Sequence, residues 1–277
     1  MQGWGWEHEA NRRFARGVAR AFAGAILFSL PMLMTMEMWS LGFIIPPARL
    51  GLLLLLMLPL LVTLSWFCGF EETEGLAAAA EDALVAVAVA CSASALVLAL
   101  FGQLDGGTGL GEAVGKVALQ AVPGSVGALL AQSQLGQQEE ERRKRRAAGY
   151  AGELFFMAVG ALYLGMNVAP TEEMVLLAYH MGARRVLLLA GLSLVAMHAF
   201  VYALEFRGQE AVPPGHTRLG VFLRFTCVGY ALVLGICAWL LWTFGHFDGT
   251  AFAVRAQVVV VLGFPGALGA AAARLIL

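Results

Sequence analysis

The residues with the most chemical potential lie where an apolar chain should carry none. Within Gly160–Tyr179, GALYLGMNVAPTEEMVLLAY, an otherwise membrane-like run holds Asn167, Pro170, Thr171, Glu172 and Glu173. A proline removes a backbone donor and clashes one turn back, and ionised carboxylates at membrane depth face protein, water or a bound ion. Gly24–Phe43, GAILFSLPMLMTMEMWSLGF, repeats the pattern without gaps. Gly24, Ala25, Thr35, Glu37, Met38 and Leu41 fall on Gly160, Ala161, Thr171, Glu173, Met174 and Leu177. Glu37, Glu173 and Glu172, with Asn167, Thr35 and Thr171, make an oxygen-rich set of the kind that binds a hard cation or shares a proton. Pro31 and Pro170 loosen the backbone beside them, and carbonyls freed at a broken helix are a common route to cation coordination. A structural role competes with this one. Arg49 and Arg185 recur at the same spacing after Glu37 and Glu173, so the charges could simply balance in pairs across helices.

Membrane helices must position these residues. Of 277 residues 60% are hydrophobic and only 13% charged, and the mean hydropathy is +0.76. Those values fit an all-α polytopic membrane protein whose main partner is lipid. No stretch has the basic, aromatic-interleaved character of a nucleic-acid surface. Cys68, Cys91, Cys227 and Cys237 sit inside apolar runs without CxxC spacing, so they read as small buried residues. The apolar runs predict eight spans, at about 21–44, 50–70, 79–102, 113–135, 153–180, 186–206, 219–245 and 252–277, each near or above the roughly 20 residues a crossing helix needs. Residues 1–20, with Trp4, Trp6, Arg12, Arg13, Arg16 and Arg20, read as a cytoplasmic amphipathic lead-in, retained rather than cleaved. Residues 137–150, containing QQEEERRKRR, read as a solvated linker between membrane halves at 21–136 and 151–277.

The halves match beyond their first spans. Arg49, Leu52, Leu53 and Phe70 fall on Arg185, Leu188, Leu189 and Phe206 at the same offset. After a short drift Phe101, Gly102, Asp105 and Gly106 fall on Phe244, Gly245, Asp248 and Gly249. Pro123, Gly124, Gly127 and Ala128 then match Pro265, Gly266, Gly269 and Ala270. Leucine-rich runs match by chance, but three polar or glycine-bearing motifs in one order do not. Lysine and arginine counts set the orientation. With both termini inside, the inner segments hold Arg12, Arg13, Arg16, Arg20, Arg142, Arg143, Lys144, Arg145, Arg146, Arg207, Arg218 and Arg274. The outer side holds Arg49, Lys116, Arg184, Arg185 and Arg255. An even number of spans per copy makes the expected repeat parallel, two four-helix units related by an axis along the membrane normal. Glu37, about 25 Å along its helix from Arg20 at ~1.5 Å per residue, then falls in the outer third of the membrane.

Other candidates weigh less. His198 reads as a packed histidine, and His180 with His198 makes a poor haem pair because the first half has no counterparts. Met32, Met34, Met36 and Met38 alternate along a helix and so split over two faces, which suits packing better than a soft-metal ladder. Asp82 and Glu81 near the start of the third span, with Arg224 at the matching place in the seventh, could form an inner ion pair or gate, and Arg142–Arg146 an anionic-lipid or docking patch. The strings SLPMLMTMEMWSLGF, AGELFFMAVGALYLGMNVAPTEEMVLLAYHM and MHAFVYALEFRGQ resemble an uncharacterised prokaryotic family of integral membrane proteins over most of the chain. The resemblance implies a bacterial cytoplasmic membrane location and assigns no role to any residue. The expected function is a channel or secondary transporter for a small inorganic cation or protons. A structural or sensory protein is the alternative, and an intramembrane enzyme, built on His198 with Glu205 in one half only, ranks last because the duplication argues against it. No cofactor is expected beyond a bound cation, and self-association stays open.

Overall fold

The computed structural model describes residues 3–68, 75–133, 149–202 and 218–276. Every regular element among them is helical, and eight helices are long and apolar enough to cross a membrane. The chain divides into two units, Met1–Lys144 and Arg145–Leu277. The linker patch Arg142–Arg146 and Glu205 lie outside the described residues.

In the first unit, α1 (Gly3–Leu33) and α2 (Met36–Ile44) are separated at Thr35, and α3 (Pro47–Cys68), α4 (Leu76–Leu100) and α5 (Leu110–Ser133) follow. The basic lead-in and the first span form one continuous helix, because nothing between Arg12 and Leu30 removes a backbone donor. The crossing segment is Ala15–Leu33, so it starts earlier than the apolar run alone predicts and ends eleven residues short of Ile44. Helix α5 is the core of this unit: 72% of its crossing window is buried, against 33%, 28% and 39% for the other three. It runs antiparallel to α1. A Cβ on Gly24 would collide with the Gly127 carbonyl, and Gly127 stands in the same relation to Gly24, so the two backbones touch with no side chain between them. Small residues at such crossings let helices approach closely enough for dispersion to hold them in lipid. The face Ala86, Ala90, Ala93 of α4 is fully buried, and Ala90 meets Gly124 of α5.

The second unit contains α6 (Gly149–Val168), α7 (Glu172–His180), α8 (Ala183–Tyr202), α9 (Arg218–Val221), a π-helical segment Phe222–Cys227, α10 (Val228–Thr243) and α11 (Phe252–Ile276). Its core is α11, with 61% of the crossing window buried. Helix α6 runs antiparallel to it, and Gly160 meets Gly269 backbone to backbone. The crossing segment is Gly149–Val168, whereas the apolar run alone extends it to His180. Both long third helices end alike. Gly102 and Gly245 have positive φ, 69° and 86°. Bonds from Gln103 N to Leu98 O and from His246 N to Leu241 O close the αL turn that glycine permits.

Candidate functional site

Each break follows from local chemistry. Pro31 sits inside α1, two residues before its end, and Pro170 sits within the second break itself. Thr35 (φ −102°, ψ 130°) and Thr171 (φ −76°, ψ 136°) are extended residues that precede the short helices. Each threonine hydroxyl turns back on the helix just left: Thr35 Oγ1 donates to Met32 O at 3.0 Å and Thr171 Oγ1 to Val168 O at 2.8 Å. Hydroxyls that satisfy a carbonyl three residues back are one way a helix end is closed.

Glu37, Glu172 and Glu173 therefore do not stand within a continuous crossing helix. They occupy the first turns of α2 and α7, beyond the crossing segments, where the positive end of the helix dipole favours carboxylates. Glu37 is half-buried; Glu172 and Glu173 are exposed. Among the described residues, no ion pair joins Glu37 to Arg49 or Glu173 to Arg185. Arg49 lies in the first turn of α3, and Arg185, exposed, in the first turn of α8.

The first break receives donors from α5 and α2, yet Gln120 Oε1 is itself buried without a partner. Gln120, reaching from α5, donates through Nε2 to Met32 O at 3.0 Å in a buried bond, and Trp39 donates through Nε1 to Leu33 O at 2.8 Å. Lys116, only 7% exposed, packs against Gly42. Its ammonium donates to Gln103 O at 3.1 Å and pairs with Glu112 at 2.6 Å. The second break also holds an unmet acceptor. Asn167 Nδ2 donates to Tyr163 O at 2.7 Å, but its Oδ1 is buried without a partner. His246, delivered by the αL turn after α10, faces the Ala169 carbonyl and feels the charge of Glu172. Its Nε2 is buried without a partner. Burial pushes the imidazole below its ordinary range, and the Ala169 bond and the Glu172 charge offset part of that.

A second polar cluster lies at the opposite end of the second unit. Arg274 Nη2 meets Glu153 Oε2 at 2.9 Å, Nη1 donates to Tyr202 Oη at 3.1 Å, and the guanidinium lies over the Tyr202 and Phe225 rings. His198 Nδ1 and Thr226 Oγ1, the latter in the π segment, are 2.9 Å apart. Arg224 lies over the Tyr150 ring, and Tyr150 Oη donates to the Arg224 carbonyl. In the first unit Ser65 Oγ meets Asp82 at 3.5 Å. His198 is thus a packed, bonded residue, while His180 ends α7 exposed. Met32 and Met38 are buried, and Met34 and Met36 are 63% and 72% exposed, so the four do not share one face. Among the described residues, no three His, Cys, Asp or Glu side chains gather as a metal set.

Missed in the sequence were His246, Gln120 and the Glu153–Arg274 pair. A signal existed for His246, because Phe244-Gly245-His246 matches Phe101-Gly102-Gln103 and marks the residue that the αL turn carries forward.

Eight apolar crossing helices with buried polar groups at the helix ends define a polytopic integral membrane protein. The chain belongs to the DUF2391 family of integral membrane proteins, whose profile matches residues 17–277. No curated protein and no solved structure matches it.

Proposed function

We propose that this chain is a membrane transport protein, a channel or secondary transporter that handles a small cation or protons at its two helix breaks. One observation carries the reading. The first crossing helix of each unit stops at a threonine, and a glutamate in the first turn opens the next helix. Interrupted helices with polar termini are the means by which many transporters hold ions. The reading treats the units as parallel copies of one four-helix design. The threonine back-bonds, the Gly24–Gly127 and Gly160–Gly269 crossings and the Gly102 and Gly245 turns fall at repeat-equivalent positions, which supports it. The basic-residue asymmetry supports both termini on the cytoplasmic side of a bacterial inner membrane. Under that orientation a cysteine introduced at Gly107 labels from outside and one at Glu140 from inside, and the reverse pattern overturns it.

A structural reading is favoured by one specific observation, the position of all three glutamates in first turns, where a carboxylate contributes about 0.3–1 kcal/mol to an exposed helix terminus. Ion flux into liposomes separates the two. Transport requires that Glu37→Gln and Glu173→Gln sharply reduce flux while the protein stays folded. The structural role requires lower stability with unchanged flux.

A further inference from the structure

All four crossing helices of the second unit meet in one polar network, at the end away from its break. Every link is a short contact. Thr226 Oγ1 of the π segment lies 2.9 Å from His198 Nδ1 of α8, and the His198 ring stands 5.1 Å from that of Tyr202. Tyr202 Oη accepts from Arg274 Nη1 of α11 at 3.1 Å, and Arg274 Nη2 meets Glu153 of α6 at 2.9 Å. The first half does not repeat these residues. In the alignment of the halves Glu153, His198, Tyr202 and Arg274 fall on Gly17, Val62, Trp66 and Gln132, none of which titrates. The other copy of the same scaffold holds its helices together without them.

The imidazole is placed where a proton can reach it and where either protonation state has partners. His198 comes four residues before its crossing segment ends at Tyr202, and Glu153 four residues after its own begins at Gly149, about 6 Å inside at ~1.5 Å per residue. Both are half-buried. A threonine hydroxyl donates to a bare ring nitrogen and accepts from a protonated one, and Thr226, 2% exposed, has no solvent to turn to instead. The Tyr202 ring lies within the ~6 Å over which an aromatic face attracts a cation, and Phe222 stands edge-on at 5.2 Å. On the elements packed against α8, the charged and titratable groups at this level are Arg274 of α11, with Glu153 of α6 bonded to it, and Arg224 and Cys227 of the π segment, Arg224 lying over the Tyr150 ring at 4.7 Å.

We propose that His198 is a proton-binding site, with Thr226 and Tyr202 as positioning residues and the Glu153–Arg274 pair as the part that responds. The proton comes from water at this end of the unit. An N–H bond forms on the ring nitrogen that carries the lone pair, the water-borne donor gives up the matching O–H bond, and the ring gains one positive charge. The guanidinium of Arg274 already lies over the Tyr202 ring at 5.4 Å, so two like charges then share one ring and the Arg274–Tyr202 contact loosens. Proton binding at His198 is separate from the helix breaks; its use as a coupling site, loaded from the end opposite to them, rests on the transport reading.

The test uses the full chain in lipid nanodiscs, with the purification tag removed and histidine and arginine labelled for nitrogen magnetic resonance. The His198 signal, assigned by its loss in His198→Gln, should pass from neutral to protonated within roughly pH 5–8. The Arg274 guanidinium signal should move with the same midpoint and stay fixed over that range in His198→Gln. Thr226→Val should displace the midpoint by roughly half a unit or more, the size of one hydrogen bond that is stronger to the charged ring. A His198 ring that keeps one form over roughly pH 4–9 overturns the proposal, as does an Arg274 signal blind to the titration, and neither result depends on a variant folding. An unmoved midpoint in monodisperse Thr226→Val protein overturns it too. Titration at His198 without any flux upholds this site and removes the transport reading; flux with a His198 that does not titrate does the opposite.

Discussion

Replacing Gly160 by alanine puts the helix crossing of the second unit to a test of sign. In an open helical position, glycine to alanine stabilises by about 1 kcal/mol, because alanine restricts the unfolded chain and suits the helix. Gly191, in α8, is such a position, since a Cβ there meets nothing within 4 Å. At Gly160 the added carbon would lie 2.6 Å from Ala273 Cβ and 2.6 Å from the Gly269 carbonyl carbon. Ordinary carbon contacts are roughly 3.5–4.0 Å, so α6 and α11 would have to part by on the order of 1 Å. The obstacle is backbone, which no rotamer change can move, and overpacking of this kind costs about 1–3 kcal/mol. Taking the upper half of that range and subtracting the propensity gain leaves a net loss of about 1–2 kcal/mol. A loss of that size lowers the melting temperature by about 2–8 °C for a unit of this scale. Thermal unfolding in nanodiscs, followed by tryptophan fluorescence, would show Gly160→Ala below the unaltered protein and Gly191→Ala at or above it. A Gly160→Ala protein as stable as Gly191→Ala would refute the close crossing and the antiparallel register built on it.

Two further predictions concern charge. Glu153→Gln and Arg274→Met should each destabilise the second unit by about 2–3 kcal/mol, below the ~3–5 of a fully buried pair, because the Glu153 side chain keeps 28% of its exposure. The double variant should recover much of that loss, and additive single costs in the same unfolding assay would deny the coupling. The imidazole of His246 is held below its ordinary range in the fold, so the unfolded chain binds the proton first. Its stabilising contribution is complete above the ordinary histidine range and is lost as pH falls through that range toward the lower folded value. The melting temperature should drop across that acid window and His246→Gln should flatten the drop; an equal slope in both proteins would contradict the assignment.

How far the fold was legible depended on whether its causes are local. Eight crossing helices were readable because each is a run of apolar residues of spanning length. The sites of the breaks were half readable. Pro31 and Pro170 announced weak backbone, but where each helix stops depends on Thr35 and Thr171 turning back on their own carbonyls, and on Gln120 reaching the first break from 88 residues away. Counting residues along one straight helix treats Glu37 as part of the first span, whereas the break starts a second helix before it. The Glu153–Arg274 pair was invisible because 121 residues separate its partners, and only the antiparallel pairing of α6 with α11 brings the second turn of one against the last turn of the other. The π segment at Phe222–Cys227 carries no sequence signal that we can identify.

The most direct measurement is ion uptake by proteoliposomes carrying the unaltered chain, Glu37→Gln, Glu173→Gln and the double variant, each verified as folded by its unfolding curve. Glutamine keeps the shape of the side chain and removes its charge. The account predicts flux above empty liposomes for the unaltered protein, a sharp fall in each single variant, and little further fall in the double, since groups acting as one unit are not additive. Normal flux in the folded single variants would contradict it, and the glutamates would then serve only the helix ends on which they sit.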